Sequence, residues 1–499
     1  MDKYQNKCTL YEIDENRVIV SSTYPDEIYF AGIVDIKAIR GCFNIMGYQL
    51  TPNNSSITAY SLYKYCILKI TLLKNEFGDA IDEYDFAVSN NIPEFLARSI
   101  CSQCSNNSYL ILISKNIESD NFMNFVKSYE LNVFFKDCVR TPLIKSLIAN
   151  TSKNRFVEHN LWDQINNSFL NKLNYKVILC GGKGTGKSTL LRYLVNKSLS
   201  RNPEILVLDL DPGQSEFTIP GCLSVIIIQQ PLLGPNFSHF TTPLKSMYIG
   251  DISPSDSELY ISSFKYLVHY CQSSYSQIPW FINTMGYTKS LGVTLLAEII
   301  KCINPSDIIQ IESNKKRNFS DHLLPDFLAT NHGTMNSLHY YKYKLHLVSS
   351  TIDNAEIFQI PINYMDIIIE KPSSREIQIP LTKYQKLCCI NGNLVALCNN
   401  ETDGLMLCQG YGIIRGFDEK TEDIFITTPL TKHQLEKIDT IRMSSVIQLD
   451  EIVYKTQISS LKRQIPYMSF KQSNTLSQPF KKSSSRIRFI VSEKDQLIS

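Results

Sequence analysis

The chain runs to 499 residues, longer than one core usually organises, so two or three domains are expected. Hydrophobic residues make up 43% and charged residues 20%, and the formal net charge of +2 leaves any nucleic-acid surface to a local patch. No apolar run approaches the ~18 residues that cross a bilayer, and the first residues lack the apolar stretch of a secretory signal, so an intracellular protein with no membrane partner is expected.

Residues 1–150 read as a β-rich domain of sandwich or barrel type. Val18–Val20, Tyr29–Val34, Cys42–Tyr48, Cys66–Leu73 and Tyr109–Ser114 are short β-branched and aromatic runs broken by Gly, Asn and Pro. Residues 151–350 change character. Lys176–Cys180, Ile205–Leu208, Pro279–Asn283 and Asp307–Ile311 are compact apolar runs, with helical spacing between them at Ser188–Leu199 and Leu291–Ile303. That alternation predicts an α/β domain with a parallel sheet covered on both faces, which binds ligands at the carboxyl ends of its strands. Residues 351–499 return to β-rich spacing at Ile367–Ile369, Leu394–Leu397, Gly412–Gly416 and Ile424–Ile426. They end in a basic tail with no acidic residue between Glu451 and Glu493. This tail suits RNA backbone contact, nuclear targeting or a solvated terminus equally well.

Of the fourteen cysteines, only Cys101 and Cys104 form a Cys-x-x-Cys pair, with no second pair at zinc-ribbon distance. Cys180, Cys222, Cys302 and Cys398 lie in apolar runs and are expected to be reduced core thiols.

Gly181-Gly-Lys-Gly-Thr-Gly-Lys-Ser188 matches the full phosphate-loop pattern between a strand and a helix. Its glycines allow the backbone N–H groups to turn inward as an anion cradle, and the helix that follows points its positive end at the phosphates. Gly181, Gly182, Lys183, Gly184, Thr185, Gly186, Lys187, Ser188 and Thr189 are therefore the candidate ATP-binding residues. Lys187 would bridge phosphate oxygens and the Ser188 hydroxyl would hold Mg²⁺. The run Ile205–Leu208 ends in Asp209 and Asp211, which puts two carboxylates at the sheet edge beside the loop. One of them can orient Mg²⁺ and the other accept a proton from an attacking hydroxyl. Gln214 would either orient the nucleophile or cap the next turn. Neither a guanine-reading Asn-Lys-x-Asp nor a transport-ATPase signature occurs, which leaves a kinase-like NTPase.

Gly181–Ser188, Arg192–Asn196, Leu208–Gly221, Tyr248–Pro254 and Asn283–Gly292 together resemble the polynucleotide 5′-hydroxyl kinases, in the branch acting in nucleolar ribosomal-RNA processing. Asp-Pro-Gly-Gln-Ser-Glu-Phe-Thr, Asp211–Thr218, is the most specific of these segments, and weaker likeness reaches Gly32–Leu50 and Gly410–Gly416. The resemblance implies a P-loop kinase domain between two β-rich domains, and ATP with Mg²⁺ as cofactors. It further implies 5′-hydroxyl ends of pre-rRNA as substrate, an endonuclease partner and a nucleolar location. By motif, Lys187 and Ser188 bind phosphate and Mg²⁺, Asp211 activates the RNA 5′-hydroxyl, and Asp209 and Gln214 support metal and nucleophile. Asn283–Tyr287 is similar to the clasp that holds the RNA end, with Tyr287 standing where the family usually has Trp. The family also places lid arginines over the transferring phosphoryl group. Thr351–Lys386 has only Arg375, and the cluster Lys315–Arg317 reads as a solvated loop. Loss of the lid implies an alternative, an ATP-binding scaffold of an RNA-processing endonuclease complex that turns over little.

Overall fold

The computed structural model describes residues 8–63, 66–74, 83–105, 107–119, 155–312, 328–329, 357–362, 365–369, 381–401, 404–418 and 420–444. The basic tail, Lys315–Arg317, Arg375 and most of the segment expected to hold a lid lie outside these residues.

The amino-terminal strands are β1 (Thr9–Asp14), β2 (Arg17–Ser22), β3 (Glu27–Tyr29), β4 (Gly32–Arg40), β5 (Cys42–Ile45), β6 (Tyr48–Leu50), β7 (Ile57–Ser61), β8 (Lys69–Leu73) and β9 (Tyr109–Lys115). They form two antiparallel sheets, in the orders β1-β2-β9-β4-β7 and β3-β8-β5-β6. Alternation sets the faces: Ile57, Ala59 and Ser61 of β7 are buried, while Thr58 and Tyr60 between them are only partly covered. The unbroken apolar run of β9 has a different cause. Its Tyr109, Ile111 and Ile113 join the core between the sheets, whereas Leu110 and Leu112 are covered by helices α1 (Glu83–Asn90) and α2 (Glu94–Gln103). This helical pair was not foreseen from the sequence.

After α3 (Asn160–Leu170) come β10 (Lys176–Gly181), α4 (Lys187–Leu199), β11 (Ile205–Asp209), β12 (Cys222–Ile228), β13 (Lys245–Tyr248), α5 (Ser257–Ser274), β14 (Trp280–Asn283), α6 (Leu291–Ile303), β15 (Asp307–Glu312) and β16 (Leu328–Ala329). The strand order β16-β15-β10-β14-β11 is parallel throughout, and all four apolar runs singled out in the sequence lie in it. The expected parallel sheet is nevertheless a mixed one, since β12 and β13 continue it antiparallel. Val177, Leu179, Val207 and Phe281 share a core with α4 and the amino-terminal sheets, and Ile178, Cys180, Leu206, Leu208 and Ile282 pack against α5 and α6. Burial on both faces explains why these strands read as continuous apolar runs.

The carboxyl-terminal elements are β17 (Ile357–Pro361), β18 (Asp366–Ile369), α7 (Lys383–Ile390), β19 (Leu394–Asn400), β20 (Met406–Asp418), β21 (Asp423–Thr427), α8 (Lys432–Leu435) and β22 (Thr440–Met443). They extend the same sheet through the β13–β20 contact at Met247 and Leu407. Cys222, Tyr248, Cys398 and Cys408 are buried together at this junction. All cysteines among the described residues are free thiols, and Cys388 alone of them is exposed. Among the described residues no group of His, Cys, Asp or Glu is arranged to hold a metal, and no helix is long and apolar enough to cross a membrane.

Candidate active site

The site lies where three adjacent parallel strands end. In register, Leu179 of β10, Asn283 of β14 and Asp209 of β11 stand level, and the chain leaves each of them into a loop at the same sheet edge. Side chains Asp209 and Asn283 fall on the sheet face that carries Val207 and Phe281, the face on which α4 packs.

The phosphate loop joins β10 to α4. Gly186, at φ 100°, caps α4 in a left-handed conformation open to glycine at little cost. At Gly181, also at positive φ, a Cβ would run into the Ile311 carbonyl of β15. Thr185 Oγ1 donates to Gly182 O at 3.0 Å, fastening the turn. Lys183 and Gly184 stand exposed at the tip, while Gly182 and Thr185 are buried and Ser188 and Thr189 half-buried on the first turn of α4. Lys187 is buried, and its Nζ donates to Gly181 O at 2.9 Å and Gly182 O at 3.2 Å. Burial lowers the Lys187 ammonium pKa, and the Asp211 carboxylate works against that shift.

Asp209 organises the second wall. Its Oδ1 accepts from Asn283 Nδ2 at 2.9 Å and from the Asp211 N–H at 3.4 Å. Its Oδ2 accepts from the Glu216 N–H at 2.6 Å and Ser215 Oγ at 3.1 Å. Burial pushes this carboxyl up to about 6 even though the Glu216 and Asn283 hydrogen bonds pull it back. With both oxygens doubly engaged, Asp209 anchors the loop. Asp211 is less fully engaged. Its Oδ1 accepts from the N–H groups of Gly213 at 3.0 Å and Gln214 at 2.9 Å, and its Oδ2 accepts no hydrogen bond among the described residues. The Gln214 backbone thus closes the turn, and its side chain stays half-buried at the mouth.

The clasp segment follows β14. Thr284 Oγ1 donates to Leu179 O at 2.8 Å, and Gly286 passes so close to the phosphate loop that a Cβ would come within 2.7 Å of Lys183 Cα. Tyr287, the next residue, is 48% exposed and lies against Gly292 at the start of α6, where a Cβ would come within 2.7 Å of its Cγ.

Sequence reasoning missed the charges that hold this wall. Glu216 is fully buried and receives Arg192 Nε at 2.5 Å and His239 Nε2 at 2.8 Å on one oxygen. Burial alone would raise the Glu216 carboxyl, but Arg192 and His239 outweigh it and hold it at about 2. Asn236, which ends the turn Gly234-Pro-Asn236, donates to Ser215 O at 3.3 Å. Asn283 was read only as part of a segment, and its Oδ1 is buried with no hydrogen-bond partner among the described residues. Nothing in the spacing links 192, 216 and 239, and no signal in the sequence around Glu216 marked a buried counter-charge.

Three family models match in succession. Residues 7–169 match the amino-terminal domain of polynucleotide 5′-hydroxyl-kinase NOL9, residues 181–338 the P-loop of the mRNA cleavage and polyadenylation factor CLP1, and residues 356–449 the NOL9-like carboxyl-terminal domain. The chain belongs to the polynucleotide 5′-hydroxyl kinase family. Among its relatives, polynucleotide 5′-hydroxyl-kinase nol9 of Dictyostelium discoideum is 29% identical over 63% of this chain and 49% of its own length. The NOL9 kinase of Drosophila melanogaster is 25% identical over 91% of this chain and 50% of its own, and that of Homo sapiens 24% identical over 88% and 75%. The chain thus spans about half the length of the first two relatives. A solved Clp1p structure in complex with Pcf11p aligns at a TM-score of 0.48 and 15% identity, covering 87% of this chain and 99% of that one.

Proposed function

We propose that the protein transfers the γ-phosphoryl group of ATP to the 5′-hydroxyl end of an RNA. The observation that carries this reading is the pairing of a buried P-loop lysine, Lys187, with Asp211, whose Oδ2 is open at the end of the neighbouring wall. The names of the relatives support the same chemistry.

The residues fit ATP and its metal. The cradle between Gly181 and Gly186 is shaped for phosphate oxygens, the half-buried Ser188 hydroxyl would hold Mg²⁺, and the Asp209 carboxylate would orient the ion's waters. Bound there, Mg²⁺ would neutralise charge developing between the β- and γ-phosphates. Asp211 Oδ2 takes the proton of the attacking 5′-hydroxyl as the new O–P bond forms and the bond from the γ-phosphorus to its bridging oxygen breaks, releasing ADP. Lys187 stabilises the same charge from the cradle side. Gln214 lines the mouth, and Tyr287 offers a face on which the terminal base stacks. The biological setting we propose is pre-rRNA processing in the nucleolus, beside an endonuclease whose cut leaves the 5′-hydroxyl.

The test is label transfer from γ-labelled ATP to a 5′-hydroxyl oligoribonucleotide with the endonuclease partner present. Transfer is expected in wild type and its abolition in Lys187→Ala. Wild-type protein that binds ATP and transfers nothing would refute the kinase reading.

A further inference from the structure

The segment Tyr248–Pro254 has no place in the mechanism above, yet it forms a rim of the site. The sheet order β10-β14-β11-β12-β13 puts the phosphate loop at one side of the Asp211 loop and the end of β13 at the other. Because β13 is antiparallel to β12, itself antiparallel to β11, it ends at the same edge as β11. The chain then turns through Gly250, at φ 81°, whose N–H and that of Ile249 both donate to Gly221 O, at 3.2 and 2.8 Å. Ser444 Oγ from the carboxyl-terminal strands donates to Gly250 O at 2.8 Å.

This turn leans on the catalytic loop at Gly213. A Cβ built there would collide with the Ile252 main-chain carbonyl while lying 3.6 Å from Asp211 Oδ1, so the Ile252 backbone packs directly on the turn that Asp211 closes. Ile252 is 48% exposed, a branched apolar side chain open to solvent on the segment that packs against the Asp211 turn. In-line transfer requires the attacking oxygen to approach from the side opposite the leaving ADP. ADP occupies the phosphate-loop side, so the body of the acceptor extends from Asp211 toward β13.

We propose that Ile252 is a substrate-binding residue that packs against the 5′-terminal nucleoside of the acceptor, forming the wall of the acceptor channel across the Asp211 loop from Tyr287. The inference rests on the kinase reading for its acceptor. An apolar side chain suits this place, because it contacts base and ribose without choosing among bases and adds no charge beside Asp211.

The experiment compares wild type with Ile252→Ala and with Ile252→Thr, which keeps the β-branch but loses most of the apolar surface. Acceptors are a 5′-hydroxyl oligoribonucleotide and its counterpart lacking the 5′-terminal base. The expected result is a KM for the intact acceptor raised about three- to tenfold in both variants, with the KM for ATP unchanged and the penalty lost on the abasic acceptor. An unchanged acceptor KM, or an equal penalty on both acceptors, overturns the proposal. Should wild type transfer no phosphate, the kinase reading fails separately. Equilibrium binding of the same two oligonucleotides still decides about Ile252: a Kd insensitive to Ile252→Ala overturns it.

Discussion

Asp209 and Asp211 are two residues apart and similar in sequence setting, yet their environments give them different work. Asp209 receives four donors and is fully buried; Asp211 spends one oxygen on the turn and keeps the other open. Asp211→Asn keeps the Oδ1 acceptor and the turn but removes the proton acceptor. It is expected to lower kcat by about 10²–10⁴ while leaving ATP affinity within a factor of a few, which single-turnover kinetics and nucleotide titration would check. At this scale spacing alone found both aspartates without dividing their work, and only the family resemblance assigned the hydroxyl to Asp211 and metal support to Asp209. The phosphate loop is local, so Gly181–Ser188 could be read directly. The roles of the two aspartates depend on Asn283, Ser215 and Glu216, which meet them only in the folded chain.

Among elements, α4 does more than present its amino end to phosphate. One turn past Ser188, Arg192 reaches Glu216, and His239 closes on the same oxygen, so the helix, the Asp209–Thr218 loop and the Gly-Pro-Asn turn form one braced unit. The pH dependence follows from the sign of the Glu216 shift. A carboxyl held at about 2 in the fold, against 4.5 as its ordinary value, contributes stability that is complete above the ordinary value and lost as pH falls toward 2. Glu216→Gln should therefore be less stable than wild type at pH 7 by on the order of 3 kcal/mol. Thermal melts from pH 7 to pH 2 should show that gap closing on acidification; a gap independent of pH would contradict the assignment.

For the whole molecule, the expected boundary near residue 150 separates sequence character more than it separates cores. Residues from Val18 to Ile311 contribute to one continuous cluster. The tie is explicit at Asn196 on α4, which is fully buried. Its Nδ2 donates to Met46 O at 3.0 Å and Leu232 O at 3.2 Å, and its Oδ1 accepts from the Leu232 N–H at 2.6 Å. Asn196→Leu leaves those backbone groups buried without partners and should cost at least about 3 kcal/mol. Urea unfolding should show one transition at lower midpoint, with the amino-terminal sheets and the P-loop sheet lost together. Strand-by-strand reading found the β-rich flanks and the four parallel strands because burial periodicity is local. It missed the antiparallel β12–β13 extension and the covering helices α1 and α2, whose places are set by partners far along the chain.

The Lys187 ammonium, resting on the carbonyls of Gly181 and Gly182, has a consequence for ligand choice. A ligand that recruits this lysine must first draw it from two good acceptors inside a buried pocket. Phosphate oxygens at the depth of the β- and γ-positions replace them with stronger, charged acceptors, whereas a nucleoside or monophosphate offers nothing at that depth. The loop is thereby expected to favour a ligand whose phosphate chain reaches that depth over a nucleoside or a monophosphate.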